Sequence, residues 1–90
     1  MQDILIPKVI KDLDVFYLEK HFKNNDLCFI DAVNEYKRFL TLKIMKFDVP
    51  IKPSESVISI WKLHIFYIEN YIQDCNQIFG KLLKIDETLI

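Results

Sequence analysis

Two histidines, two cysteines and one aspartate are the side chains of this sequence best suited to chemistry: His21, Cys28, His64, Asp74 and Cys75. Imidazole and thiolate groups bind zinc, but neither of the usual spacings, C-x-x-C and H-E-x-x-H, occurs in the sequence. Neither cysteine lies in a motif typical of a nucleophile. In one continuous helix His64 and Cys75 would stand roughly 16 Å apart, too far to share a metal ion. We therefore predict no catalytic residue, no metal site and no cofactor.

A metal site or an enzyme remains an alternative that depends on the path of the chain. A sharp kink near Phe66 would bring His64 close to Asp74 and Cys75, with His21 as a further ligand. In the simpler interpretation, His64 is a core histidine bonded to a backbone carbonyl. The cysteines are expected to be reduced and mostly buried, because no secretory signal precedes them; a disulfide between them is the alternative.

Length and composition limit the remaining classes. Ninety residues form one domain, and 51% hydrophobic residues with one glycine favour long regular elements over loops. A single glycine excludes glycine-rich phosphate-binding loops. Charged residues or histidine interrupt every apolar run before the ~18 residues of a membrane span. We expect a soluble intracellular protein, cytoplasmic or in the host cytoplasm if viral, with no membrane partner and no small-molecule substrate. The Ile-, Lys- and Asn-rich composition suits a virus, a reduced parasite or a low-GC bacterium.

The apolar spacing is helical almost throughout and predicts an all-α bundle of three to four helices. The first helix covers about 8–23, beginning at Pro7, with Val9, Leu13 and Phe16 on one stripe. The second covers about 26–46, with Asn25 or Asp26 as its cap. A connector at 47–53 contains two prolines, which disfavour helical geometry in the residues before them. Residues 81–90 form a tail.

The third predicted helix covers about 54–79, with Ser54 as its cap and Gly80 as its end. Apolar side chains recur in alternating steps of four and three, and a kink is expected near 66–69. Together with the second helix it supplies the predicted structural core, namely Tyr36, Leu40, Val57, Trp61, His64, Ile68, Tyr71, Cys75 and Gly80.

Residues 32–86 carry a pattern that resembles a known family. "EYKRFL", "KPS", "VISIWKLH" and "YIQDCNQIFG" follow one another with the spacing Y-x-x-F-L, P-[ST], W-x-x-H and Y-x-x-D-C-x-x-x-x-G. The pattern is similar to the helical N-terminal domain of plant glycine-rich domain-containing proteins, whose short relatives occur in bacteria and large DNA viruses. The matching residues are Tyr36, Phe39, Leu40, Pro53, Ser54, Val57, Trp61, His64, Tyr71, Asp74, Cys75 and Gly80.

The departures from that family lie at its polar positions. Ile58 stands at the family's acidic position, and Lys62 and Lys84 stand at two of its histidine positions. The resemblance therefore implies a degenerate member that keeps the helical scaffold and lacks the Asp/His cluster. Any metal-dependent or proton-transfer role of that cluster would be lost here.

Surplus aromatic residues suggest a protein partner. The chain carries 13% aromatic residues, more than a core of this size readily buries. Phe47, Phe66 and Tyr67 are the candidates for exposure, because they lie in the connector, at the kink or off the main stripe. We predict a non-enzymatic interaction domain, acting as an adaptor, an inhibitor or a small subunit, or self-associating as a dimer.

Binding to nucleic acid or a ribonucleoprotein is the main alternative. Residues 37–62 hold six basic residues against two acidic ones, although the net charge of the chain is −1. These residues form a candidate basic belt: Lys37, Arg38, Lys43, Lys46, Lys52 and Lys62. A solvated helix face is the simpler explanation of the same charges.

Overall fold

The computed structural model describes residues 5–23 and 28–85, and within them the fold is all-α, as predicted. No strand occurs in these two ranges. The elements in chain order are α1 (Lys8–Lys11), a 3-10 helix (Phe16–His21), α2 (Phe29–Met45), α3 (Glu55–Phe66) and α4 (Ile68–Phe79). The last three helices supply most of the core, and the chain before them contributes the buried residues Ile10, Leu13, Val15 and Leu18.

The predicted first helix over 8–23 is wrong, because two short elements with an irregular link take its place. The Asp14 carboxylate accepts a hydrogen bond from the backbone N–H of Phe16 at 3.0 Å, a local turn that competes with the helix. The buried residues here are Ile10, Leu13, Val15 and Leu18, so Leu13 is the only buried member of the expected stripe Val9, Leu13 and Phe16. Phe16 is 57% exposed, so tertiary packing has overridden the helical pattern here.

Helix α2 is the longest element and lies against α3. It begins at Phe29 with Cys28 as the N-cap residue, and the Cys28 side chain makes no capping bond. The predicted caps Asn25 and Asp26 lie outside the described residues. The buried face of α2 consists of Phe29, Ala32, Val33, Tyr36, Phe39, Leu40, Thr41 and Lys43.

The chain from Ser54 to Gly80 forms two helices rather than one. The Ser54 hydroxyl accepts a bond from the Val57 N–H at 3.3 Å, which satisfies an amide that the first turn leaves unpaired. Helix α3 ends at Phe66, and Tyr67, with φ −90° and ψ 71°, turns the chain into α4. The break lies inside the predicted kink range. Gly80, at φ 72°, adopts the left-handed conformation that ends α4.

Two predicted core positions, Ile68 and Gly80, are exposed. Ile68 is 49% exposed, because the turn at Tyr67 rotates α4 and removes this residue from the stripe that runs along α3. Gly80 is exposed as well, and its contribution is the helix end rather than packing. Tyr71 and Cys75 are the residues through which α4 enters the core.

Part of the predicted tail belongs to the core. Leu83 is 3% exposed, and its carbonyl accepts a hydrogen bond from the Tyr71 hydroxyl. Residues 82–85 are non-helical, and 86–90 lie outside the described ranges. None of the helices in the described part of the chain is both long enough and apolar enough to cross a membrane.

Candidate functional site

His64 lies at the centre of a hydrogen-bond chain that joins three helices. Its Nδ1 is 2.7 Å from the Tyr36 hydroxyl on α2, and its Nε2 is 2.8 Å from Oδ2 of Asp74 on α4. The ring is 1% exposed and meets the Tyr71 ring edge-on, with centroids 4.9 Å apart. The expected partner of His64 was a backbone carbonyl, so the pair of side-chain partners is a correction. The turn at Tyr67 brings Asp74 within reach.

This arrangement suits a neutral imidazole. A carboxylate only accepts, so Nε2 carries the hydrogen and donates to Asp74, while Nδ1 accepts from the Tyr36 O–H. Burial lowers the pKa of His64 from its usual value, and the bond to Asp74 opposes that shift. Burial also raises the pKa of Tyr36 well above the ordinary tyrosine value. Both hydrogen-bonding atoms of the ring are therefore satisfied without a charge on it.

A second chain of hydrogen bonds lies beside the first. The indole N–H of Trp61 donates to the Tyr71 hydroxyl at 2.9 Å, and that hydroxyl donates to the Leu83 carbonyl. Burial raises the pKa of Tyr71 and that of the Cys75 thiol. A raised pKa leaves less thiolate, so Cys75 has the opposite of an activated nucleophile's environment.

Of the potential metal ligands, His64 and Asp74 meet, but no third ligand joins them in the described part of the chain. In residues 5–23 and 28–85, no group of three His, Cys, Asp or Glu side chains could hold a metal ion. Nε2 of His21 lies 2.6 Å from the Tyr67 hydroxyl, so its hydrogen-bond partner is a tyrosine and not another potential ligand. Both cysteines are free thiols; Cys75 is buried, whereas Cys28 is exposed, contrary to the expectation that both are mostly buried.

The three aromatic residues predicted to face a partner differ in exposure. Phe66 is 76% exposed. Phe47 is half-buried, because it packs on Phe79 with centroids 5.3 Å apart and lies under the Lys81 ammonium. Tyr67 is half-buried against Tyr17, edge-on at 5.3 Å. Only Phe66 therefore presents most of its ring to solvent.

Phe66 borders a groove between α3 and the end of the 3-10 helix, which we call the Phe66 groove. Its volume is about 360 Å³. Phe22, Leu63 and Phe66 supply its apolar lining. The polar lining comes from His21, Lys23, Ser59 and Lys62. Residues 21–23 were not predicted to line a groove, because they were expected to lie in a continuous helix over 8–23, which does not form.

The basic belt is partly absorbed into the fold. Lys43 is 7% exposed and donates to the Val49 carbonyl at 2.9 Å, so its ammonium holds the connector rather than facing solvent. Lys37 is half-buried and donates to the Lys11 carbonyl at 2.9 Å. The exposed members are Arg38, Lys46, Lys52 and Lys62. The belt as predicted is therefore corrected to four exposed cations, of which Lys62 lines the Phe66 groove.

Comparison with known proteins finds no relative of this chain. No family model, no curated protein and no solved structure matches the chain.

Proposed function

We propose that this domain is a non-enzymatic protein-interaction domain that docks a partner through the Phe66 groove. The observation that carries the proposal is the exposure of Phe66, 76%, at the edge of a groove with an apolar lining. Holding a phenyl ring in water forgoes hydrophobic free energy, and a partner that covers the ring recovers it. Adaptor, inhibitor and small-subunit roles all rest on such a surface.

The shielding of the polar groups supports a role without catalysis. Tyr36 is fully buried and His64 is 1% exposed, so of that hydrogen-bond chain only the Asp74 carboxylate, with a side chain 20% exposed, is open to solvent. Their polar atoms are occupied by one another. The pKa of Cys75 is raised by burial rather than lowered as in a reactive thiol.

The resemblance to the glycine-rich domain-containing proteins is compatible with this proposal. The matched positions that make the two hydrogen-bond chains are Tyr36, Trp61, His64, Tyr71 and Asp74. We propose that these positions reflect a shared scaffold. The departures at Lys62 and Ile58 lie on α3, and Lys62 lines the groove.

Selection from a phage-displayed library of random peptides tests the proposal. The immobilised wild-type domain should enrich a sequence motif, and the Phe66→Ser variant should not. Met45→Ser is the matched control, because Met45 is also a large exposed apolar residue, 68% exposed, and does not line the groove. Circular dichroism of each variant confirms that the helices persist.

Two results would reject the proposal. One is the absence of any enriched motif on the wild-type domain. The other is the same motif on the Phe66→Ser variant with unchanged enrichment, which would separate peptide binding from the groove.

A further inference from the structure

We infer that the Phe66 groove binds an acidic peptide segment that inserts large apolar side chains between aspartates or glutamates. This inference rests on the proposed function and specifies the chemistry of the partner. It follows from the lining of the groove, from the way its walls are held, and from the distribution of charge on the rest of the domain.

The lining combines an apolar surface with a cationic rim. Phe22, Leu63 and Phe66 offer two rings and a branched aliphatic chain to an entering side chain. Lys23 and Lys62 are both exposed, and they border this surface from the 3-10 helix end and from α3. No Asp or Glu lines the groove within the described part of the chain. A partner that buried apolar groups here would meet a positive rim, which carboxylates complement.

Both walls of the groove are held by contacts inside the domain. His21 is bonded to the Tyr67 hydroxyl at 2.6 Å, which ties the end of the 3-10 helix to the turn between α3 and α4. The Phe22 ring meets Phe29 of α2 edge-on, with centroids 5.5 Å apart. The opposite wall is the continuous helix α3. A groove held in this way loses little conformational entropy when a peptide binds.

The charge elsewhere on the domain favours an acidic peptide over a nucleic acid. Lys43 and Lys37, two members of the basic belt, already donate to the Val49 and Lys11 carbonyls. The net charge of the whole chain is −1, so no broad positive field attracts a phosphate backbone. The positive rim is confined to the groove and consists of a few side chains.

Fluorescence anisotropy with labelled peptides tests the inference. The probe is a short peptide with a central Leu–Phe pair flanked by aspartates. Three matched peptides replace the aspartates by asparagine, the aspartates by lysine, or the Leu–Phe pair by two alanines. The aspartate probe should bind best, and its affinity should fall as salt is raised.

Charge reversal at the rim provides the matched protein variants. Lys62→Glu should weaken binding of the aspartate probe by about three- to tenfold and improve binding of the lysine-flanked peptide, since each exposed ion pair contributes up to about a fivefold change in affinity. Lys52→Glu makes the same change in net charge at an exposed residue outside the groove, and it should leave both affinities unchanged.

The outcomes separate this inference from the proposed function. Equal binding of the aspartate and asparagine peptides, lost in Phe66→Ser, would overturn the acidic preference and leave a protein-docking groove. Binding of a labelled oligothymidylate that Lys62→Glu abolishes would overturn the inference in favour of nucleic acid. Concentration-dependent dimerisation in sedimentation velocity that Phe66→Ser abolishes would show that the groove holds a second copy instead. No binding of any peptide, with no motif from the library, would reject the proposed function itself.

Discussion

The Tyr36 hydroxyl lies 2.7 Å from Nδ1 of His64, and this bond satisfies the ring nitrogen that does not face Asp74. When the ring is neutral, Nδ1 accepts the tyrosine proton and Nε2–H serves Asp74. When the ring is protonated, Nδ1–H becomes a donor, and the buried tyrosine proton loses its acceptor. The geometry therefore penalises the imidazolium beyond the cost of burial alone.

Acid should destabilise the domain through His64. The pKa of His64 in the folded state is below its usual value of about 6.5, so the unfolded chain takes up a proton more readily than the folded one. The stability that depends on the neutral ring is complete above about pH 6.5, and it is lost as the pH falls below that value towards the folded pKa. Urea unfolding followed by the fluorescence of Trp61, the single tryptophan, at several pH values measures the effect.

The control for this pH dependence is His64→Gln. An amide keeps some hydrogen bonding but does not titrate in this range, so the slope of stability against pH between about 5 and 7 should flatten. An unchanged slope would show that the pH dependence does not come from His64.

Removing the Tyr36 hydroxyl should cost stability. Tyr36→Phe leaves Nδ1 of a buried histidine without a partner, which costs about 1–3 kcal/mol in the free energy of unfolding. Tyr67→Phe is the comparison, because the Tyr67 hydroxyl bonds His21 at an exposed position where water can replace it. Urea unfolding of both variants should show a clearly larger loss for Tyr36→Phe, and equal losses would contradict the importance assigned to the buried bond.

Tyr71→Phe should loosen the segment after α4. The change removes the partner of the Trp61 indole N–H and of the Leu83 carbonyl together, and Leu83 is the residue through which this segment enters the core. Trypsin should then cleave after Lys81 and Lys84 faster than in the wild type. Ile72→Ala, at a neighbouring residue that is 43% exposed, should not accelerate cleavage at these two sites.

The two cysteines should react at very different rates. Cys28 is exposed, whereas Cys75 is 2% exposed and burial raises its pKa. A thiol reagent should therefore label Cys28 in the native protein and reach Cys75 only after denaturation. Mass spectrometry of the labelled protein, digested after a quench, identifies the site. Rapid native labelling of Cys75 would contradict the packing described here.

The local sequence pattern was sufficient where the residues that favour a helix also form the buried face of that helix. The three- and four-residue spacing predicted α2 and a single kinked helix over 54–79, which the structure divides into α3 and α4. The Ser54 cap and the Gly80 end follow from single residues. The region of Asp14 could not be predicted in this way. There, one side-chain bond and the burial of Ile10 and Val15 outweigh a helical pattern of similar strength.

The candidate site could not be predicted from the spacing of residues along the sequence, because it is built from contacts between distant residues. His64 and Asp74 are ten residues apart, and they meet because the chain turns at Tyr67 by an amount that no local signal specifies. Lys43 was predicted to lie in an exposed basic belt, because basic residues outnumber acidic ones over 37–62. The apolar part of the Lys43 side chain is buried, while its ammonium donates to the Val49 carbonyl. The connector brings that carbonyl back beside α2.

Tyr67 connects the Phe66 groove to the hydrogen-bond chain of His64. Its hydroxyl holds the His21 wall of the Phe66 groove, and the turn at its backbone sets the distance between His64 and Asp74. A peptide that displaced the His21 wall and a proton that altered the bond between His64 and Asp74 would both act on the turn between α3 and α4. If protonation of His64 changes the affinity for the peptide by some factor, thermodynamic linkage requires that peptide binding change the proton affinity of His64 by the same factor.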